Sequence, residues 1–150
     1  MTLNNISWSF DDKTYTDSTK FNAEITDYQQ SIHGTTSKWK PDEMLCNYPK
    51  LQIQYMAWIT KPSDLHENEV LIDDDKDVFE KYPDEEEHQV EIVATLKADN
   101  GQNISALEFL FKTHNQMANK ELGDHIFFEG TDASPEMSGG IQTYFIACGS

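Results

Sequence analysis

"LQIQYMAWI", residues 51 to 59, constrains this chain more than any other stretch. Leu51, Ile53, Tyr55, Ala57 and Ile59 alternate with Gln52, Gln54, Met56 and Trp58. Successive side chains of a strand point to opposite faces, so a period of two predicts a strand with one core face. "HQVEIVATLKA" repeats the pattern, with Val90, Ile92, Ala94 and Leu96 on one side. Strands of this kind need a layer over their apolar face, and two amphipathic helices supply one. "STKFNAEITDYQQSIHG" places Phe21, Ile25, Tyr28 and Ile32 at steps of four, three and four, with Asp17 or Ser18 as N-cap and Gly34 as the stop. "SALE", from Ser105 to Glu108, is a capping box; Leu107, Leu110, Phe111, His114, Met117 and Ala118 follow at helical spacing, to a stop near Gly123.

The shorter elements fall around these. Ile6 to Tyr15 reads as a hairpin turning at Asp11-Asp12, Thr35 to Lys50 as a loop, "NEVLID" as a short strand, and Asp99-Asn100-Gly101 as a turn. "DHIFFEG" and, past a loop with Pro135, Gly139 and Gly140, "IQTYFIAC" read as closing strands. The order is too irregular for a doubly wound sheet. The predicted class is therefore α+β, a largely antiparallel sheet with two amphipathic helices packed on it, as a single domain over residues 1–150. Phe21, Ile25, Tyr28, Leu107, Leu110 and Phe111 are expected to pack on the sheet face carrying Ile53, Tyr55 and Ile92.

Charge bounds the function. Lys+Arg is 11 against 27 for Asp+Glu, a formal net charge of −16, and every cation is a lysine. Without arginine the chain lacks the bidentate fork that grips phosphate, and its field repels polyanions, so nucleic acid and anionic lipid are disfavoured partners. Much of the charge sits in "DDDKDVFEKYPDEEE", residues 73 to 87, with nine carboxylates against two lysines. A calcium loop would place ligands at Asp73, Asp75 and Asp77, but Val78 stands where the sharp turn needs glycine and Asp84 where it needs a bidentate glutamate. The predicted use of the run is an electrostatic face for a basic protein. It is carried by Asp73, Asp74, Asp75, Asp77, Glu80, Asp84, Glu85, Glu86 and Glu87 together with Tyr82. A solvated loop is the simpler alternative. Trp39 and Trp58 are candidate aromatic anchors; Trp58 lies opposite the apolar register of its strand, either exposed or covering a second face.

No complete catalytic set can be assembled. Ser63, Ser105 and Ser138 lack a nucleophile-elbow context, and "MSGG" lacks the lysine of a phosphate loop. A strand would put His125 and Glu129 on one face with Asp124 pointing away, a pair able to bind a metal or act as acid and base only with a third group. His114, on the apolar helix face, reads as a hydrogen-bonded core histidine. His33 suits a helix C-terminus, and His66 and His88 bracket the acidic run. Cys46 and Cys148 read as free thiols. With no basic leader and no long apolar run, the expected place is the cytoplasm, and no cofactor or metal is expected.

A small acidic α+β chain without arginine, ending "LEFLFKTHNQMANKELGDHIFFEG" and "TYFIACGS", resembles the immunity proteins that bacteria make against polymorphic or contact-dependent toxins. The resemblance implies a role and assigns no residue: tight, inhibitory binding to a cognate toxin, often a basic nuclease, by masking its active site or an essential surface. Three other readings stay open: a small enzyme or metal-binding protein using His125 and Glu129, an acidic nucleic-acid mimic that occupies a DNA-binding protein, and a structural subunit.

Overall fold

The computed structural model describes residues 3–131 and 136–150. In chain order the elements are β1 (Trp8–Ser9), α1 (Ser18–His33), β2 (Met44–Cys46), β3 (Lys50–Ile59), β4 (Glu69–Leu71), α2 (Val78–Lys81), β5 (His88–Lys97), β6 (Ile104–Ser105), α3 (Ala106–Met117), β7 (Phe127–Phe128), β8 (Glu136–Ser138), β9 (Ile141–Phe145) and β10 (Cys148–Gly149). The class is α+β. The main sheet has the order β4-β5-β3-β9-β8, and two small sheets, β1-β7-β10 and β2-β6, flank it.

The two alternating runs pair along their whole length. In the antiparallel register of β3 and β5, Leu51 faces Leu96, Tyr55 faces Ile92 and Ala57 faces Val90. A one-residue slip would turn one strand's apolar set outward, so the coincidence of the two patterns sets the register. β9 lies on the other side of β3 and runs parallel to it, with Ile53 opposite Tyr144. The stretch read as a loop around Gly139 and Gly140 is the turn of a hairpin between β8 and β9. Its two glycines have φ of 58° and 81°, the left-handed pair that a type I′ turn requires. Pro135 lies outside the described residues.

α3 covers the core face of the sheet. The Phe109 ring stands 5.5 Å from Tyr144, and Phe109, Leu110 and Met117 are buried. The predicted pair Leu107 and Phe111 is only half-buried, because the buried arc is centred on Ala106, Leu110, Thr113 and Met117, rotated by roughly one residue position from the row through Leu107 and Phe111. α1 packs chiefly on α3 and β1, with Phe21 5.9 Å from Phe111, so it reaches the sheet through α3 instead of lying on it. Its N-cap is Asp17 and its stop Gly34, as predicted, but Ile32 is exposed and Gln29 is buried in its place. Gln29 satisfies itself on β1's neighbour: its Oε1 accepts the Ser7 amide at 2.9 Å and its Nε2 donates to the Ser7 carbonyl.

Other sequence expectations are corrected by pairing partners distant in the chain. Ile6 to Tyr15 is not a hairpin. Trp8 pairs with Phe128, the Phe10 amide donates to the Ile126 carbonyl at 2.8 Å, and the Asp11 carboxylate takes the Lys13 amide at 3.0 Å, turning the chain away. The Tyr15 amide and carbonyl are then both satisfied by the Asn115 side chain of α3, at 2.9 and 2.8 Å. Since backbone groups must be paired, that second limb has no need of β1. The loop from Thr35 to Lys50 contains β2, whose Cys46 pairs with Ile104. α3 ends at Met117 and not near Gly123, because the Glu121 carbonyl leaves the helix to accept the Trp58 amide at 2.8 Å. The Ser105 half of the capping box forms, at 3.1 Å to the Glu108 amide, while the Glu108 carboxylate turns to the Asp99 amide and Lys112.

His114 is the joint between these layers, and it is a core histidine. It is 0 % exposed among the rings of Trp8, Phe10, Tyr15 and Phe21, with centroids 5.1 to 5.9 Å away. The Trp8 indole N–H donates to Nδ1 at 3.0 Å and Nε2 lies 2.6 Å from the Lys13 carbonyl. That network assigns one tautomer, neutral with the proton on Nε2. Burial pushes the imidazole below its ordinary value, against the opposing pull of the Lys13 carbonyl and the Asp11 and Glu24 carboxylates. The unfolded chain therefore takes up this proton first: the contribution to stability is present above about pH 6.5 and is lost as pH falls through the lowered folded value. The ring ¹⁵N shifts of His114 should accordingly hold the neutral Nε2–H pattern at pH 6. An imidazolium pattern at that pH would refute the assignment.

Candidate functional site

The acidic run forms the connection from β4 to β5, and it is an anchored surface. After β4 the Ile72 amide still donates to the Glu91 carbonyl at 3.2 Å. Asp73–Asp75 then makes a 3₁₀ turn, which swings the Asp75 carboxylate back to accept the Glu91 amide at 2.8 Å. α2 follows, and its Val78 and Phe79 pack against the core, Phe79 edge-on to the His88 ring at 4.9 Å. The run is thus tied down at its start by backbone pairing and in its middle by an aromatic contact.

This geometry sorts the predicted residues. Asp75 is half-buried and satisfies a strand amide, so it serves the fold. Asp73, Asp74, Asp77, Glu80, Asp84, Glu85, Glu86 and Glu87 are exposed, as is Tyr82 at 51 %. The two lysines of the run pair within it, Lys76 to Asp73 at 2.8 Å and Lys81 to Asp77 at 3.8 Å. The Lys76 ammonium, by hydrogen bond and by charge, holds the Asp73 carboxyl below its usual value. Exposed pairs of this kind stabilise little, and the remaining carboxylates face solvent without a lysine. His88, which brackets the run in the sequence, is 3 % exposed; among the described residues its Nδ1 has no hydrogen-bond partner, and it lies 3.8 Å from Glu85.

The aromatic candidates separate likewise. Trp39 is buried and donates its indole N–H to Asn22 of α1 at 2.7 Å, so it is a core residue and no anchor for a partner. Trp58 is half-buried, on a sheet face where Gln52, Gln54 and Met56 are half-buried too and Val70 is 57 % exposed. Between β3 and the chain beyond α3 it stands next to Glu87, Glu121, Gly123 and Asp124. Glu121 escaped the sequence reading because its place depends on a single bridge to Trp58, which no local pattern announces.

His125 and Glu129 do not form the predicted pair. The strand is only Phe127–Phe128, so alternation does not extend to them. His125 Nε2 lies 3.4 Å from Asp124, the residue expected to point away, whereas Glu129 lies against Gly149 of β10. Among the described residues no group of three or more His, Cys, Asp or Glu side chains is placed to hold a metal ion. Cys46 and Cys148 are free, and burial, then the Glu129 charge, pushes the Cys148 thiol up to about 12.

One charged cluster lies inside the protein and was not anticipated. Glu69 occupies an inward position of β4, opposite Ala94. Its carboxylate takes the Tyr55 hydroxyl at 2.5 Å, the His66 amide at 2.8 Å and the Lys120 ammonium at 2.9 Å. The Glu69 and Lys120 side chains are 0 % and 1 % exposed, and the Lys120 contact is an ion pair, not a well-aligned hydrogen bond. Burial alone would raise the Glu69 carboxyl, but the His66 amide, the Tyr55 hydroxyl and the Lys120 ammonium outweigh it and hold it low. The cluster ties the end of α3 to the edge strand.

Among the described residues no helix is long and apolar enough to cross a membrane. Comparison with protein-family models, curated proteins and solved structures finds no match to this chain.

Proposed function

We propose that this protein is an immunity-type inhibitor that acts by binding, in the cytoplasm: its acidic surface recognises and neutralises a cognate basic protein toxin. The observation that carries the reading is the anchored β4–β5 connection, which presents eight exposed carboxylates, Asp73, Asp74, Asp77, Glu80, Asp84, Glu85, Glu86 and Glu87, on a surface tied to the sheet. Like charge gathered in one place destabilises a compact chain by self-repulsion. Holding it in an ordered surface suits a partner of opposite sign, whose approach it accelerates. Pre-anchoring lowers the ordering cost of binding.

The test is a series of association rates against ionic strength, with the product of the neighbouring reading frame as partner. Asp73, Asp74 and Asp77 are replaced by asparagine and Glu80 by glutamine, leaving Asp75 in place because its carboxylate holds the Glu91 amide. The variant should associate about tenfold more slowly at low salt. The difference should shrink at 1 M salt, where the Debye length is about 3 Å. Equal rates at low salt would leave the run as a solvated loop and remove the reading.

A further inference from the structure

We infer that the indole of Trp58 is the seat for a guanidinium, the side chain of an arginine carried by the basic partner; the inference rests on the partner reading above and adds where that partner is gripped. The ring separates two adjoining recesses of about 250 and 330 Å³. Glu87 and Glu121 line both, Asp64 lines one and Asp124 the other.

The carboxylates are placed by the backbone. The Trp58 amide donates to the Glu121 carbonyl at 2.8 Å. Glu121 Oε1 in turn accepts the Gly123 amide at 2.8 Å. Gly123, at φ 65°, lets the chain double back beside the indole, where even a Cβ would stand only 3.6 Å from Nε1. Asp64 Oδ2 accepts the Thr60 amide and hydroxyl, each at 2.8 Å. Among the described residues Lys120 is the one cationic residue lining either recess, and its ammonium is turned inward onto Glu69. Among the described residues the indole N–H has no acceptor. The recess therefore combines an accessible aromatic face, an open donor and a rim of carboxylates; Asp64 feels the charge of neighbouring Lys61, whereas among the described residues Glu87, Glu121 and Asp124 pair with no lysine.

Of the available cations, guanidinium fits best. It is planar and weakly hydrated, so it stacks on the indole face while its edge N–H groups reach carboxylates on the rim. A metal ion is disfavoured by the donor set, since no three ligating side chains converge among the described residues. These 150 residues contain no arginine, so neither they nor a second copy of them fills the seat, and the occupant is assigned to the basic partner.

Hexa-arginine and hexa-lysine peptides, equal in charge, test this by titration into the ¹⁵N-labelled protein. The Trp58 indole signal is identified by its loss in Trp58→Phe. Hexa-arginine should bind about threefold to tenfold more tightly, with the largest shifts at the Trp58 indole and the Gly123 amide. The double variant Glu87→Gln, Asp124→Asn, both on exposed side chains, should abolish that preference. Equal affinities, or shifts confined to residues 73 to 86, would overturn the inference while leaving the toxin-binding reading intact. Conversely, a clear arginine preference at Trp58 alongside equal association rates for the variant with Asp73, Asp74, Asp77 and Glu80 neutralised would uphold the seat and sink that earlier reading.

Discussion

Truncating Phe109 to alanine is expected to cost about 3–5 kcal/mol, the range for large buried aromatics. Its side chain is fully buried between α3 and the main sheet, with Tyr144 5.5 Å away, and the space is bounded by β-sheet on one side, so collapse around the vacancy is limited. Phe111→Ala should cost roughly half as much, because Phe111 is half-buried and its ring neighbour, Phe21 at 5.9 Å, belongs to the outer helix. Urea denaturation with matched m-values decides between them. A larger loss at Phe111 than at Phe109 would mean that α3 presents the face read from its sequence and not the one described above.

The second large effect is expected at the interior charge cluster. Lys120→Met leaves the Glu69 carboxylate buried with no counter-charge, and breaking a buried pair in this way costs about 3–5 kcal/mol. Adding Glu69→Gln to Lys120→Met should recover much of that loss, since no charge then remains to be desolvated; an additive double variant would show that the two groups do not interact. The pH dependence follows from the direction of the Glu69 shift. Its folded value is held low, so its contribution is present above the unfolded value near pH 4.3 and is lost as pH falls through the folded one. Glu69→Gln should therefore flatten the acid limb of the stability curve below about pH 4.3. A curve as steep as wild type would assign acid sensitivity to other carboxylates.

Both effects sit where the sequence pattern was least informative. In α3 the apolar residues Leu107, Leu110 and Phe111 make a convincing stripe, yet Phe109 is the deeper residue. A helix lying between a sheet and a second helix is buried over a wide arc, and local spacing does not say where that arc is centred. Glu69 sits in an alternating short strand whose inward residues are Glu69 and Leu71, and a glutamate there looks like surface until Lys120 is known to arrive from the far end of α3. The same holds for the candidate surface. The acidic run was legible as composition, but the removal of Asp75 from it and the placing of Glu121 beside Trp58 each depend on one backbone contact between distant residues.

What the sequence determined by itself are the features whose cause is local. The alternation of residues 51 to 59 and 88 to 97 specifies two strands and the face each buries, the caps at Asp17 and Ser105 begin the two long helices, and the lysine-only cation content with its acidic run sets the charge. Tertiary structure alone decided the rest: that the N-terminal limb pairs with β7 instead of with itself, that β9 joins β3 in parallel, and that Glu87, Glu121 and Asp124 gather around one indole. The physical reason is one of range. Propensity, capping and periodicity act over a few residues, whereas the pairing of an unsatisfied backbone edge or a buried charge is settled by whichever partner the packed chain brings within about 3 Å.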